Sequence, residues 1–254
     1  MVESLKVFPE RERGILMELA IIYDNTSARD DMLSGWGFSC LVGGRVLFDT
    51  GEDYESLRSN LSTMGADIGR IEAVVLSHDH WDHTGGVEGF LREAGPGIAV
   101  YGCSDTERPL RKKISNNGGE FIEAESPTEI AQGIYTTGQI NGSYKGSGIM
   151  EQSLAFKTVR GVSVVTGCSH PGIVKIVRRV KELFPGEDIP LVMGGFHLRD
   201  DSAERVHSIA RKMRELGAEK AAPAHCSGDQ AMDVFSDVYG DDYLSAGAGK
   251  VLEV

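Results

Sequence analysis

Apolar residues in the first half of the chain fall in short runs broken by glycine or polar pairs, a spacing suited to strands, and regular helical spacing sets in from Gly172 onward. Residues 16–23, 37–42 and 45–49 read as strands, the last two joined as a hairpin by the Gly43-Gly44 turn. A helix is predicted over 54–64, followed by a continuous apolar strand, IEAVVL, at 71–76. A short helix near 87–92 precedes strands at 98–101, 121–123 and 134–136, and the glycine-rich stretch 138–148 reads as a loop, either a lid or a linker. The second half opens with a hairpin, 153–159 and 162–166, and then alternates helices at 172–184, 202–216 and 228–239 with strands at 191–193 and 220–222. Such alternation predicts helices covering a sheet. With no Pro- or Ser-rich linker between the halves, residues 1–254 are expected to form a single domain of two packed sheets with helices outside.

Composition sharpens this picture at three points. The 32 glycines, nearly twice the usual share of about 7%, follow no collagen-like period and therefore serve turns between many short strands. With 26 Lys+Arg against 38 Asp+Glu the net charge is −12. Neutralising a phosphate backbone takes clustered cations, so a large nucleic-acid footprint is not expected, while a small anionic substrate remains compatible. The short basic runs at 111–113 and 175–181 read as solvated helix faces. No stretch approaches the roughly 20 apolar residues of a membrane span, and residues 1–14 (MVESLKVFPERERG) lack the apolar core of a signal peptide; the expectation is a cytoplasmic protein with no membrane partner. Cys40, Cys103, Cys168 and Cys226 are scattered without a CxxC pair, against a disulfide framework or a zinc ribbon.

The densest chemistry follows the IEAVVL strand, where 77–86 reads SHDHWDHTGG and supplies His78, His80, Asp82 and His83, four metal-ligating side chains within six residues. Residues two apart on extended backbone project to one side, so His78 and His80 can converge on one ion. Asp82 and His83 then sit beside a second. Imidazole and carboxylate suit two divalent cations, zinc first, with Mn, Fe or Mg as alternatives, and paired cations activate water for attack. Asp82 is also a candidate catalytic group that orients that water or takes its proton.

SHDHWDHTGG with its preceding apolar strand resembles the signature of the metallo-β-lactamase superfamily. The LFDTG segment at 47–51 is similar to that superfamily's first motif, which implies that Asp49 supports the ligand loop from behind. Residues 164–172, VVTGCSHPG, stand where the superfamily carries a Thr-Gly-Asp whose Asp bridges both metals, but here Cys168 takes the Asp position. A thiolate there could bridge or bind one metal, or Cys168 could be a small buried residue beside the site. The superfamily also supplies a His between these two motifs; none occurs between His83 and His170, which makes His170 the candidate to complete the first metal site. The PAHCSG segment at 223–228 resembles the superfamily's final metal-binding motif, with His225 completing the second site and Cys226 packing beside it. His197, in GGFHL, is a candidate for substrate contact or proton transfer, with a structural role as the alternative, and His207 reads as surface.

The combination of TGCSHPG, GGFHL, PAHCSG and the Tyr23-Asp24-Asn25 segment resembles one branch of the superfamily, which includes an enzyme joining a dihydropterin to ribofuranosylaminobenzene phosphate together with metal-dependent hydrolases. The resemblance implies an α/β fold, a four-layer αββα sandwich with its metal site at one edge of the two sheets. It further implies a small phosphorylated, pterin-related substrate, contacts to it from Asn25 and His197, and either hydrolysis or displacement of phosphate or diphosphate. A homo-oligomer is compatible with this reading. The competing functions are a C–C bond-forming transferase, a non-hydrolytic iron redox protein, and a binding module that retained a metal.

Overall fold

The computed structural model describes residues 16–254, and the signal-peptide reading of residues 1–14 lies outside them. In chain order the elements are β1 (Glu18–Tyr23), β2 (Ser39–Val42), β3 (Val46–Phe48), α1 (Tyr54–Thr63), β4 (Ala73–Val75), α2 (Trp81–Thr84), α3 (Val87–Ala94), β5 (Ala99–Gly102), α4 (Arg108–Asn116) and β6 (Glu120–Glu123). There follow β7 (Thr128–Ala131), β8 (Ile134–Thr136), β9 (Ile140–Tyr144), β10 (Ser147–Glu151), β11 (Leu154–Thr158), β12 (Gly161–Thr166), α5 (Ile173–Leu183), β13 (Ile189–Gly195), α6 (Ala203–Glu215), β14 (Ala218–Ala224), α7 (Asp229–Tyr239) and β15 (Val251–Glu253).

The strands form a seven-stranded sheet in the order β15-β1-β2-β3-β4-β5-β6, a six-stranded sheet in the order β14-β13-β12-β11-β8-β7, and the separate hairpin β9-β10. Three apolar layers hold them. Leu57, Leu61, Phe90, Leu91 and Ile114 of α1, α3 and α4 pack on the outer face of the first sheet. Phe48, Val75, Phe156, Val165 and Met193 fill the space between the sheets. Ile176, Val180, Val206, Met213 and Phe235 bring α5, α6 and α7 onto the outer face of the second. Three buried layers separate four layers of structure, the αββα sandwich expected. No helix among the described residues is long and apolar enough to cross a membrane.

β3, β4, β5 and β6 run parallel to one another, as do β12, β13 and β14, because helices cross over between them. β1 and β3 are each antiparallel to β2, so β1 shares their direction. The carboxyl ends of β1, β3 and β4 lie along one sheet edge, and those of β12, β13 and β14 along the other, the place where open α/β sheets carry their ligands.

The strand at 71–76 is observed over Ala73–Val75, and the two late strands are longer than their cores suggest, running Ile189–Gly195 and Ala218–Ala224. The larger difference is at 138–148, which is a β-hairpin and not a loop. Its two-residue turn places Lys145 and Gly146 at φ 49° and 82°, the left-handed pair that a tight hairpin of the favoured twist requires. Two glycines and two serines within β9 and β10 masked the strands, since such residues alone carry little strand preference.

A candidate metal centre at the strand ends

Each predicted ligand occupies the first residues beyond a strand. The loop after β4 carries His78 and His80 and then turns into α2, which holds Asp82 and His83. The loop after β12 carries Cys168 and His170, and the ends of β13 and β14 lead to His197 and His225. The chain brings them into two groups whose donor atoms lie within 4.8 Å of one another: His78, His80 and His170 in one, Asp82, His83 and His225 in the other. His170 is thereby placed with the first pair of histidines and His225 with the Asp82 pair.

Every imidazole but one has its second nitrogen tied down, which fixes both ring orientation and tautomer. The Ser77 hydroxyl donates to Asp49 Oδ2 at 2.7 Å, so it must accept from His78 Nδ1 at 2.8 Å, leaving His78 Nε2 to face inward. His83 Nδ1 meets Asp49 Oδ2 at 2.7 Å, and Asp49 also accepts the Ser77 N–H. His170 Nδ1 meets Glu151 Oε2 at 2.8 Å. His225 Nδ1 meets Asn25 Oδ1 at 2.9 Å, while the same amide donates to the His225 carbonyl and Asp24 accepts the His225 N–H. His80 alone has no such partner on its second nitrogen; its Nδ1 lies 2.9 Å from His78 Nε2.

Asp49 thus lies behind the 77–83 segment, bonded to Ser77 and His83. Asn25 was expected at the substrate; in the structure its amide is engaged by His225 and by the Gly37 N–H. Glu151 and Asp24 were not foreseen. Glu151 is fully buried and accepts the backbone N–H groups of Cys168, Ser169 and His170 in addition to the His170 ring. A single acidic residue entering an apolar strand was its only sequence signal.

Electrostatics follow from this wiring. Burial and the neighbouring imidazoles push His78 well below the ordinary histidine value, so it stays neutral. Burial pulls His83 down too, but Asp49 outweighs it and lifts His83 to about 9. Burial would raise Asp82, yet the adjacent His225 and His83 imidazoles hold it well below the carboxylate range. Burial would likewise raise Glu151, and its bonds to His170 and the backbone reverse that.

Cys168 lies between the groups, with Sγ 3.2 Å from His83 Nε2, and it also falls within 4.8 Å of His78 and His83 donors. Cys226, expected to pack, is buried with Sγ 3.4 Å from that of Cys168, and His197 joins the two thiols in a further cluster. The His197 ring itself is at the rim, 4.8 Å from that of His170, and the Cys226 sulfur lifts it above the ordinary value. The β9-β10 hairpin closes one side: the Tyr144 ring stands edge-on to His80 at 4.6 Å and to His170 at 5.2 Å. His207 lies on α6, away from these groups.

The donors fit divalent cations. His225 Nε2 is buried with no hydrogen-bond partner, 3.5 Å from Asp82 Oδ2, and His83 Nε2 is 3.9 Å from the same oxygen. An orphaned lone pair beside an ionised carboxylate is costly unless a cation lies between them.

The profile of the metallo-beta-lactamase superfamily matches residues 39–225. The chain is 28% identical over 247 aligned positions to the 7,8-dihydropterin-6-methyl-4-(beta-D-ribofuranosyl)-aminobenzene-5'-phosphate synthase of Methanocaldococcus jannaschii, covering 82% of this chain and 84% of that one. Among solved structures, Tm1679, a metal-dependent hydrolase of the beta-lactamase superfamily, superposes with a TM-score of 0.78 at 29% identity over 94% of this chain and 99% of that one. Zinc-bound PqqB of Methylobacterium extorquens shares the fold, with a TM-score of 0.58 at 13% identity over 93% of this chain and all of that one.

Proposed function

The chain belongs to the metallo-β-lactamase superfamily, and from that premise we propose that this metal-dependent enzyme acts through a dinuclear centre on a small, phosphorylated, pterin-related substrate. The observation that carries the reading is the pair of three-residue groups meeting at one sheet edge, with His225 Nε2 orphaned against Asp82. His78, His80 and His170 would hold one cation, Asp82, His83 and His225 the other, and Cys168 is the candidate shared ligand. The cations, when bound, would polarise a phosphoryl or carbonyl oxygen and lower the pKa of water.

The remaining roles belong to side chains. Asp82, held ionised, can accept a proton or orient an attacking group. His197 stands at the rim with its value raised, poised to hand a proton to a departing phosphate or to contact the substrate. Tyr144 of the hairpin excludes water from one side of His80 and His170. Trp36, half-exposed with its ring 5.5 Å from that of His225, and Arg199 stacked on it at 4.4 Å, form a flat surface next to the second group that suits a planar heterocycle.

Hydrolysis or phosphate displacement is the reading favoured by the hydrolase relative. The 28% identity to a synthase whose name specifies a dihydropterin and a 5'-phosphate favours condensation as the second reading. Elemental analysis of protein purified without added metal, coupled to product analysis with phosphorylated pterins and simple esters, tests both. Two metals per chain with phosphate release is the expected result. Free phosphate with no coupled product selects hydrolysis; one metal or none, with no release after reconstitution, overturns the proposal.

A further inference from the structure

A cavity of about 490 Å³ opens directly beyond His170 and His197, between the start of α5 and the face of α6. Its size is in the range of small-molecule pockets. Phe196, Leu198, Ile173 and Ile209 supply apolar wall, and the charged groups on that wall are Lys175, Arg178 and Arg205 against Asp201 alone. In a chain of net charge −12 this local excess of cations runs against the overall balance.

The cations differ in how they are held. Arg205 is paired with Asp201 at 3.0 Å, and the Lys175 ammonium donates to the Asn141 carbonyl at 2.7 Å. Arg178 has no hydrogen bond or ion pair with any described residue. Lys175 and Arg178, three residues apart, share one face of α5. At about 1.5 Å per residue, Arg178 lies roughly 9 Å along the helix axis from its N-cap beside His170. Arg178 is thus set back along α5 from the ligand groups, and the same cavity reaches them at His170 and His197.

We propose that this cavity is a substrate-anchoring subsite, in which Lys175 and Arg178 bind a non-reacting phosphomonoester at the end of an arm while the other end of the molecule reaches the metal centre. The inference rests on the proposed function and deepens it, because it assigns a second, non-reacting phosphate of the substrate to protein cations and leaves the departing group to the metal centre. Guanidinium matches phosphate through paired N–H donors, and the neighbouring ammonium adds a second charge against the dianion. The apolar wall accommodates the arm between the two ends.

The test uses phenyl phosphate and inorganic phosphate as probes, with binding measured by calorimetry on the full chain after metal removal, so that metal-bound phosphate does not contribute. Wild-type protein should bind phenyl phosphate at millimolar concentration or better. K175E/R178E should weaken it at least tenfold while retaining the wild-type metal content and melting temperature, since both side chains are exposed. K112E/K113E, reversing two exposed cations on α4, should leave binding unchanged. Absence of binding to the wild type, equal binding by K175E/R178E, or an equal loss in K112E/K113E overturns the subsite. Failure of the metal-centre reading is seen separately, in metal content and turnover of the loaded wild type.

Discussion

Replacing Glu151 by Gln changes almost no volume and removes one oxygen acceptor, and the structure sets the consequence. The carboxylate accepts four N–H groups: Cys168 and Ser169 on Oε1 at 3.0 and 2.7 Å, and the His170 backbone and ring on Oε2 at 2.7 and 2.8 Å. A glutamine amide has one oxygen, so in either orientation its NH₂ faces two buried donors. Two charge-assisted hydrogen bonds are lost, each contributing about 1.5–3 kcal/mol, and relief from burying a charge offsets part of this. A net loss of about 3 kcal/mol corresponds to a fall in Tm of about 6–12 °C for a chain of this size. Because the same loop carries Cys168 and His170, zinc affinity should also fall about 10–100-fold. Since Glu151 titrates below its unfolded counterpart, its contribution is complete above the ordinary glutamate range and disappears as pH falls through the lower, folded value. The gap between wild type and variant should therefore be constant near neutrality and close only in acid. Thermal unfolding of the metal-free proteins across pH, with competitive zinc titration at neutral pH, reads all three quantities. A Tm within 2 °C of wild type together with unchanged zinc affinity would refute the role given to this residue.

Three further outcomes are expected. His80→Ala should leave one tightly bound metal per chain and no turnover, measured by elemental analysis and a product assay; two metals and normal turnover would remove His80 from the first group. Cys168→Asp should keep two metals, whereas Cys168→Ala should lower loading, and normal loading in the alanine variant would reduce the thiol to packing. In the metal-free chain His83 is raised to about 9 from an unfolded value of about 6.5, so its contribution to stability is complete below 6.5 and is lost as pH rises through 9. Zinc must displace that proton: near pH 7.5 binding should release about one proton at this residue, and apparent affinity should rise about tenfold per pH unit up to 9. Calorimetry in two buffers of different ionisation enthalpy measures the release, and its absence would contradict the Asp49–His83 assignment.

The legible part of the site is the part encoded locally. His78, His80, Asp82 and His83 lie within six residues after one apolar strand, a density of ligating side chains that points to metal binding. His170 and His225 were reachable only through the family resemblance, because their distance in sequence from the cluster is bridged by the packing of two sheets. Glu151 was invisible for a related reason. A lone glutamate entering a strand is ordinary until β10 is known to end under the β12 loop. Asn25 reads in sequence as a substrate contact, and its partner His225, two hundred residues later, becomes visible only once the sheets are packed. The hairpin over the site was read as a loop because its glycines and serines hide strands that are set by pairing and by Tyr144 docking on the histidines.

The backbone shows where the fold concentrates its strain. Of the five non-glycine residues with φ in the left-handed region among the described residues, Asp49, Ser169, His197 and His225 are at or beside the ligand groups, and the fifth, Lys145, is in the hairpin turn. Each such residue costs on the order of 1–3 kcal/mol and persists only where surrounding structure over-determines it. The over-determination here comes from the sheet edges. A Cβ on Gly167 would stand 2.1 Å from the Ser77 hydroxyl, and one on Gly195 would stand 2.2 Å from the Gly167 carbonyl and 2.7 Å from the Cys226 sulfur. The two loops at the centre therefore touch backbone to side chain with no room for a methyl group. Gln152 ties the sheets together just below, donating to the Leu76 and Tyr101 carbonyls of the opposite sheet. The three apolar layers hold the strands rigidly enough that the first residue or two beyond each can be bent out of the ordinary regions. Those bends follow four strands, β3, β12, β13 and β14, and re-aim side chains that a relaxed extended backbone would have directed alternately up and down.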